Sequence, residues 1–380
     1  MSDWRQYTVQ ELIDLGWLEE PLDGNHGSIH PKASDYVLKG IPFVMATDLR
    51  SGTVDYNNCV FITEKQASGL RKGFSHPGDV LLTHKATIGR TAIVPDTYQT
   101  IILTPQVTYY RVKENIDNRY LKYYFDTPAF QATLSNWAGS GSTRAYLGIT
   151  AQKKLPIVLP DYSTQKRIAA ILSMLDNQIQ NNNEINENLA QQAQAIYADI
   201  FITNADPAWP LGHLSDLITV RYGKDHKKLD DGPFPVYGSG GVMRYVERPI
   251  YEKESVLIPR KGTLNNVMYV NEPFWSVDTM FFTEMKLPDV AKFIFHFVKS
   301  KDLASLNAGS AVPSMTTDIL NAMELSIPDA ETLKRFESIV GPMYRAMLHN
   351  SEESKKMAAV RDSLLPRLMS GELDVSELDL

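Results

Sequence analysis

Apolar residues recur in alternating steps of four and three along Thr164–Phe201: Ile168, Leu172, Leu175 and Ile179, then Leu189, Ala193, Ile196 and Ile200. The stretch holds no Pro and no Gly, and its register passes over only Asn182 and Asn186. A 3.5-residue repeat is a coiled-coil seam, here flanked by Gln- and Asn-rich solvated faces. Such a helix would be about 57 Å long at the usual helical rise. It is too long for one helix of a compact core.

The pattern returns 168 positions later. Pro160-Asp161 corresponds to Pro328-Asp329, and Thr164, Lys166 and Arg167 to Thr332, Lys334 and Arg335. The same seam then runs through Phe336, Val340, Met343, Met347, Asn350, Ser354, Met357, Arg361, Leu364 and Leu368. Asn182 maps onto Asn350, and a polar residue in an apolar seam fixes register at a cost in stability. Gly341-Pro342 falls inside this copy, so the second helix is expected to start late there or to kink. Leu364, Leu365, Leu368 and Met369 form an apolar stripe, and Gly371 should end the helix. The tail is therefore expected to pack near the N-terminal lobe and the first helix.

Each seam follows a lobe of mixed pattern. In the first, a short helix near Val9–Leu15 precedes a Gly-, His- and Pro-containing loop, Asp23–Lys32. Strand-like pieces follow at Ile41–Met45, Asp79–Thr83, Thr91–Val94 and Gln106–Val112, a helix begins at Tyr120–Phe125, and Leu155–Leu159 is a last strand. Polar loops are expected at 84–90 and 139–148. The second lobe repeats the order: Gly40–Val44 resembles Gly232–Val236, Gly78–Ile88 resembles Glu254–Leu264, and Gly141–Leu147 aligns with Gly309–Met315. The predicted fold class is α/β (α+β), two globular domains separated by two long antiparallel coiled-coil helices in a pseudo-twofold tandem repeat. The expected bounds are 1–160 for the first domain, 161–203 for the central helix, 204–328 for the second domain and 329–380 for the second helix with its tail. The seam itself is compatible with either helix orientation.

Bulk properties narrow the picture. At 380 residues the chain can hold two or three domains with their own cores. No apolar run approaches the ~18 residues of a membrane span, and the start lacks a signal-peptide profile. The single Cys59 excludes an intramolecular disulfide and fits a buried thiol in a reducing cytoplasm. A net charge of −7 repels phosphate as a whole, yet residues 1–161 carry 16 basic and 16 acidic groups. A nucleic-acid surface must then be a local basic patch.

Candidate patches sit in matching places. His84, Lys85, Thr87 and Arg90 surround an Ala-Thr-Ile-Gly turn, and Lys or Arg there suits phosphates or guanine edges. Arg260, Lys261, Thr263, Asn265 and Asn266 hold the corresponding positions, and Asn can pair bidentately with adenine. Ser142, Thr143 and Arg144 lie in a small-residue loop that permits close approach; its counterpart offers Ser314 but no arginine. Lys224 and Lys227 belong to the densest basic cluster, Tyr222–Lys228. Gly238-Ser239-Gly240-Gly241 reads as a turn between strands. Metal and acyl chemistry have no foothold: there is no paired Cys, no His-Glu-x-x-His and no Gly-x-Ser-x-Gly. The chain is expected to be non-catalytic.

Four segments carry a family resemblance: GDVLLTHKATIGRTAIV at 78–94, GSGSTRAYLGITAQKKLPIVLPD at 139–161, the Gln-Lys-Arg-Ile helix opening, and RDSLLPRLMSGELDV at 361–375. In order and partly doubled, they resemble the specificity subunit of type I restriction–modification systems over essentially the whole chain. The resemblance implies two target-recognition domains, each reading one half of a bipartite site in double-stranded DNA. It implies helices that space the domains and dock two modification subunits, which carry S-adenosylmethionine and methylate adenine N6; restriction subunits join through them. No cofactor is expected on this chain, and the expected location is cytoplasmic. On the residues alone a second reading stays open, a structural adaptor whose lobes bind proteins across a rigid spacer.

Overall fold

The computed structural model describes residues 4–139, 145–306 and 314–375. The chain forms two compact units: residues 1–181 with 353–380, and residues 182–352. Both boundaries fall inside long helices, Tyr162–Ala198 and Ala330–Met369. Each helix opens on the same aspartate–threonine cap. Asp161 accepts from the Thr164 amide at 3.0 Å and the Thr164 hydroxyl at 2.8 Å. Asp329 accepts from the Thr332 amide at 2.8 Å and the Thr332 hydroxyl at 2.9 Å. A capping side chain satisfies amides that lack a partner in the first helical turn.

In the first unit, Arg5–Thr8 pairs antiparallel with Pro156–Leu159 and leads into the helix Val9–Asp14. One antiparallel sheet orders Leu22–Asp23, Val107–Tyr110, Val80–Lys85 and Thr87–Ile93. A second orders Val60–Ile62, Ile41–Val44, Ile101–Leu103 and Phe74–Ser75, with Ile41–Val44 parallel to Ile101–Leu103. Cys59 is buried here, as a lone thiol should be. The helices Asn118–Asp126 and Pro128–Trp137 cover the first sheet. Residues 84–90, expected as a loop, are almost entirely paired strand: the chain reverses at one residue, Ala86, whose φ of 63° is left-handed. A reversal that tight leaves no room for a longer loop.

The second unit repeats this plan. Leu211–His213 pairs antiparallel with Glu324–Ser326. One sheet orders Ile218–Tyr222, Met280–Met285, Ser255–Pro259 and Met268–Val270. The other orders Gly241–Val246, Phe234–Gly238 and Trp275–Ser276, with Phe234–Gly238 parallel to Trp275–Ser276. Gly238 pairs with Gly241 across a hairpin, so the glycine-rich segment is a turn between strands.

Within each unit the helical stretches pair antiparallel. In the second, Asn182 Nδ2 donates to the Asn350 carbonyl at 3.4 Å and Asn186 Nδ2 to the Met347 carbonyl at 3.1 Å. Asn350 Nδ2 donates to Asn186 Oδ1 at 2.9 Å. The two positions that broke the apolar register are thus seam members that bond the opposite helix. Val340 is buried, while Leu189, Ile196, Met347 and Asn350 are half-buried. In the first unit Ile168, Leu172 and Leu368 are buried and Leu175, Ile179, Met357 and Leu364 half-buried. The second helix begins at Ala330 and continues through Gly341-Pro342, so it does not start late.

The tail closes the first unit. Leu365, Leu368, Met369 and Val375 belong to one core cluster with Val9, Leu12, Ile168 and Leu172, and Leu364 packs against it. Gly371 ends the helix with φ 76°, and a Cβ there would lie 2.8 Å from Trp4 Nε1. Among the described residues, no helix is long and apolar enough to cross a membrane.

Candidate nucleic-acid interface

The first-unit turn is held on two sides. Lys85 pairs with Thr87 across Ala86, and both are exposed. Alongside, the Ala86 amide donates to the Ala145 carbonyl at 3.0 Å, and Lys85 forms an isolated bridge with Tyr146. The Leu147 amide donates to the His84 carbonyl at 2.9 Å. Lys85 Nζ stands 6.0 Å from the Tyr146 ring centroid. The turn and the segment after residue 144 therefore present as one edge.

His84 is not part of that edge. Its side chain is 0% exposed, and Nδ1 donates to the Leu147 carbonyl at 3.0 Å. Burial pushes its imidazole below the ordinary histidine value, against the pull of Asp23. As the last inward-facing residue before the turn, it supports the two segments from beneath and cannot touch DNA. Arg90 is exposed but points elsewhere: Nη1 donates to the Ala46 carbonyl at 3.2 Å, and it lines a different cleft from Lys85, with Arg50 and Lys122. Ser142, Thr143 and Arg144 lie outside the described residues.

The second unit builds the same edge with other side chains. Gly262 takes the left-handed place of Ala86, with φ 84°. Lys261 bridges Ser314 as Lys85 bridges Tyr146, and the Met315 amide donates to the Arg260 carbonyl at 2.9 Å. Arg260, where the first unit has the buried His84, is half-buried and stacks 5.3 Å over the exposed Tyr222 ring. Lys261 and Thr263 are exposed. Asn265 and Asn266 are otherwise engaged: Asn265 spans Asp302 Oδ1 and the Ala304 amide, each at 3.0 Å, and Asn266 donates to the Ser239 carbonyl at 2.7 Å. Pairing either amide with a base would break those bonds, so both side chains shape the surface.

Lys224 and Lys227 are exposed on the loop after Ile218–Tyr222. That loop is anchored by its backbone: the Lys224 amide donates to the Ser276 carbonyl at 2.8 Å, and Trp275 Nε1 donates to the Lys224 carbonyl at 2.9 Å. Among the described residues no group of three or more His, Cys, Asp or Glu is arranged to hold a metal ion. The tips of these edges are cationic.

Two copies of one lobe, each exposing a lysine-tipped hairpin, define a duplicated recognition module. The chain belongs to the type I restriction modification DNA specificity family, whose domain it matches over residues 1–191 and 208–352. It is 23% identical to the MjaIX type I restriction enzyme specificity subunit of Methanocaldococcus jannaschii over 99% of this chain and 95% of that protein. It is 33% identical to the HindI specificity subunit of Haemophilus influenzae, over 24% of this chain and 18% of that protein. Among solved structures, the S subunit of a type I restriction–modification system from M. genitalium superposes with a TM-score of 0.61 at 17% identity, covering 97% of this chain and 96% of that one. The chain is a type I restriction–modification specificity subunit, a DNA target-recognition protein.

Proposed function

We propose that this specificity subunit reads a bipartite duplex target, one half-site per unit, and that it docks adenine-N6 methyltransferase subunits and, through them, restriction subunits. The observation that carries this reading is the repetition of one edge: Lys85-Ala86-Thr87 beside Tyr146, and Lys261-Gly262-Thr263 beside Ser314. Two copies of one contact surface on one chain suit two half-sites rather than one continuous site. Lys85, Thr87, Arg260, Lys261 and Thr263, with Lys224 and Lys227, are the proposed DNA contacts. Chemistry belongs to the partners: S-adenosylmethionine binds the modification subunits, and this chain supplies the address. Its place of action is the cytoplasm.

The test is methylome sequencing of cells that express the chain with its modification subunits. Lys85→Ala should degrade one half-site only, and Lys261→Ala only the other. If both variants blurred the same half-site, or if methylation followed no bipartite sequence, this reading would fail.

A further inference from the structure

The loop that carries Lys224 and Lys227 has a counterpart in the first unit that the residues alone do not reveal. In both units, a strand pairs with the middle of the four-stranded sheet and ends at a glycine. These are Leu22–Asp23 followed by Gly24, and Ile218–Tyr222 followed by Gly223. A Cβ on Gly24 would fall 1.9 Å from the Leu103 carbonyl oxygen, and one on Gly223 would fall 2.0 Å from that of Val277. Those carbonyls lie at the ends of Ile101–Leu103 and Trp275–Ser276, the strands that run parallel to their neighbours in the second sheets. Both loops thus leave the fold at one place by one close backbone crossing. One continues Lys224-Asp225-His226-Lys227-Lys228, the other Asn25-His26-Gly27-Ser28-Ile29-His30.

The first-unit loop is fixed from below. Asn25 Oδ1 accepts from the Arg71 amide at 2.9 Å and the Lys72 amide at 3.3 Å, while its Nδ2 donates to the Lys72 carbonyl at 2.5 Å. His30 Nδ1 lies 3.1 Å from the Asn25 carbonyl. The buried Asp23 carboxylate receives Lys72 Nζ, lies 3.1 Å from His26 Nε2, and lies 3.9 Å from His84 Nε2. That His84 nitrogen has no hydrogen-bond partner among the described residues. Asp23 therefore ties the loop to Lys72, which offsets its charge, and lies beside the residue beneath the Lys85 turn. Between loop and turn lies a cleft of about 440 Å³, with His26 and His30 on one wall, Lys85 and Gln106 on the other, and Tyr36 beside them.

We propose that this cleft is a second backbone-phosphate contact for duplex DNA in the first unit, in which Lys85 and the protonated rings of His26 and His30 donate to phosphate oxygens, His26 through Nδ1 and His30 through Nε2, as the lysines of the matching loop do in the second. The inference rests on the DNA-reading assignment above and adds a surface to it. Phosphate is favoured over a base because the structurally matched loop carries three lysines, whose cations recognise charge rather than sequence. The cleft contributes affinity; it does not choose bases.

The experiment measures binding of the full chain, assembled with its modification subunits, to a duplex carrying its methylated motif and to a scrambled duplex, across a salt series. His26→Glu/His30→Glu should weaken binding to both duplexes about tenfold. Lys65→Glu, a charge reversal on the exposed helix Glu64–Ser68 outside the cleft, should have little effect. Because Glu at 26 faces Asp23, His30→Lys provides an arm that places a permanent cation there instead. At alkaline pH, where a neutral ring has no N–H left to donate, it should tighten binding and steepen the log–log salt slope by close to one, as one further phosphate contact does. Should the double-Glu variant match Lys65→Glu and His30→Lys leave the slope unchanged, the cleft is no phosphate site, while the DNA-reading assignment stands. Loss of affinity for the cognate motif alone would make the cleft a base reader and overturn the proposal. If the unaltered complex preferred no sequence, the assignment beneath it would fall as well.

Discussion

Ala86 and Gly262 hold the same backbone place in the two units, each the single left-handed residue between a cationic strand end and a threonine. For an L-residue with a Cβ this conformation costs about 1–2 kcal/mol, and for glycine almost nothing. The first unit therefore carries strain that the second avoids.

Ala86→Gly should keep the turn and leave stability level or up to about 1 kcal/mol higher, because relief of strain is partly cancelled by the freer unfolded chain. Ala86→Val should cost about 1–2 kcal/mol, since a β-branched side chain tolerates positive φ least. Thermal unfolding measures both. A loss of stability in Ala86→Gly would show that the alanine methyl itself packs.

The seam asparagines act as a set. Asn350→Ala removes the donor to Asn186 Oδ1 and should cost about 1–3 kcal/mol by stranding a partly buried amide. Asn186→Leu/Asn350→Leu should recover much of the loss, because apolar residues suit the seam. Chemical denaturation of the singles and the double gives the coupling directly; strict additivity would mean that the two do not communicate.

Asp176 gives the first unit an acid limit. Burial opposes its ionisation, yet Lys122 at 3.4 Å, Arg361 at 2.6 Å and the Tyr123 hydroxyl at 2.7 Å outweigh burial and hold its carboxyl below the ordinary aspartate value. A carboxylate depressed in the folded state binds protons more readily once unfolded. Its contribution is therefore complete above the unfolded value near pH 4 and is lost as pH falls through the folded one. Asp176→Asn should lower stability by about 1–3 kcal/mol at pH 7, with a smaller penalty below about pH 3. Denaturant titrations at the two pH values test this, and an equal penalty at both would refute it.

The two helix caps offer a simpler comparison. Asp161→Ala and Asp329→Ala should each cost about 1 kcal/mol, since each carboxylate accepts from both the amide and the hydroxyl of a threonine three residues on. Far-UV circular dichroism during denaturation would show whether the losses match; a neutral substitution at either end would mean that water caps that helix equally well.

The helices were legible because their signals are local: a 3.5 repeat and a closing glycine need no knowledge of the rest of the chain. The capping roles of Asp161 and Asp329 are equally local, yet they emerge only from the structure. Strand pairing was less so. Arg5–Thr8 gains its identity from Pro156–Leu159, far along the chain, and four residues carry too little pattern to announce it. The hairpin turns were found by sequence likeness, but which side chains face out was not. His84 and Arg260 occupy one position, and only the surrounding packing sends one inward and leaves the other half-buried. Asn265 and Asn266 looked like base readers because their partners, Asp302 and Ser239, are remote in sequence. The loop after Gly24 stayed hidden because it shares with its counterpart a glycine and a backbone crossing, not a charge pattern.

The union of Leu365, Leu368, Met369 and Val375 with Val9 and Leu12 in one core has a consequence for the order of synthesis. The unit spanning residues 182–352 is continuous in sequence and can complete its packing while the ribosome is still working. The unit that emerges first cannot: until residues 353–375 have been made, part of its apolar surface stands uncovered. The half of the protein that begins earliest is thus finished last, and a nascent chain stalled before residue 353 would expose an adhesive face to chaperones and proteases.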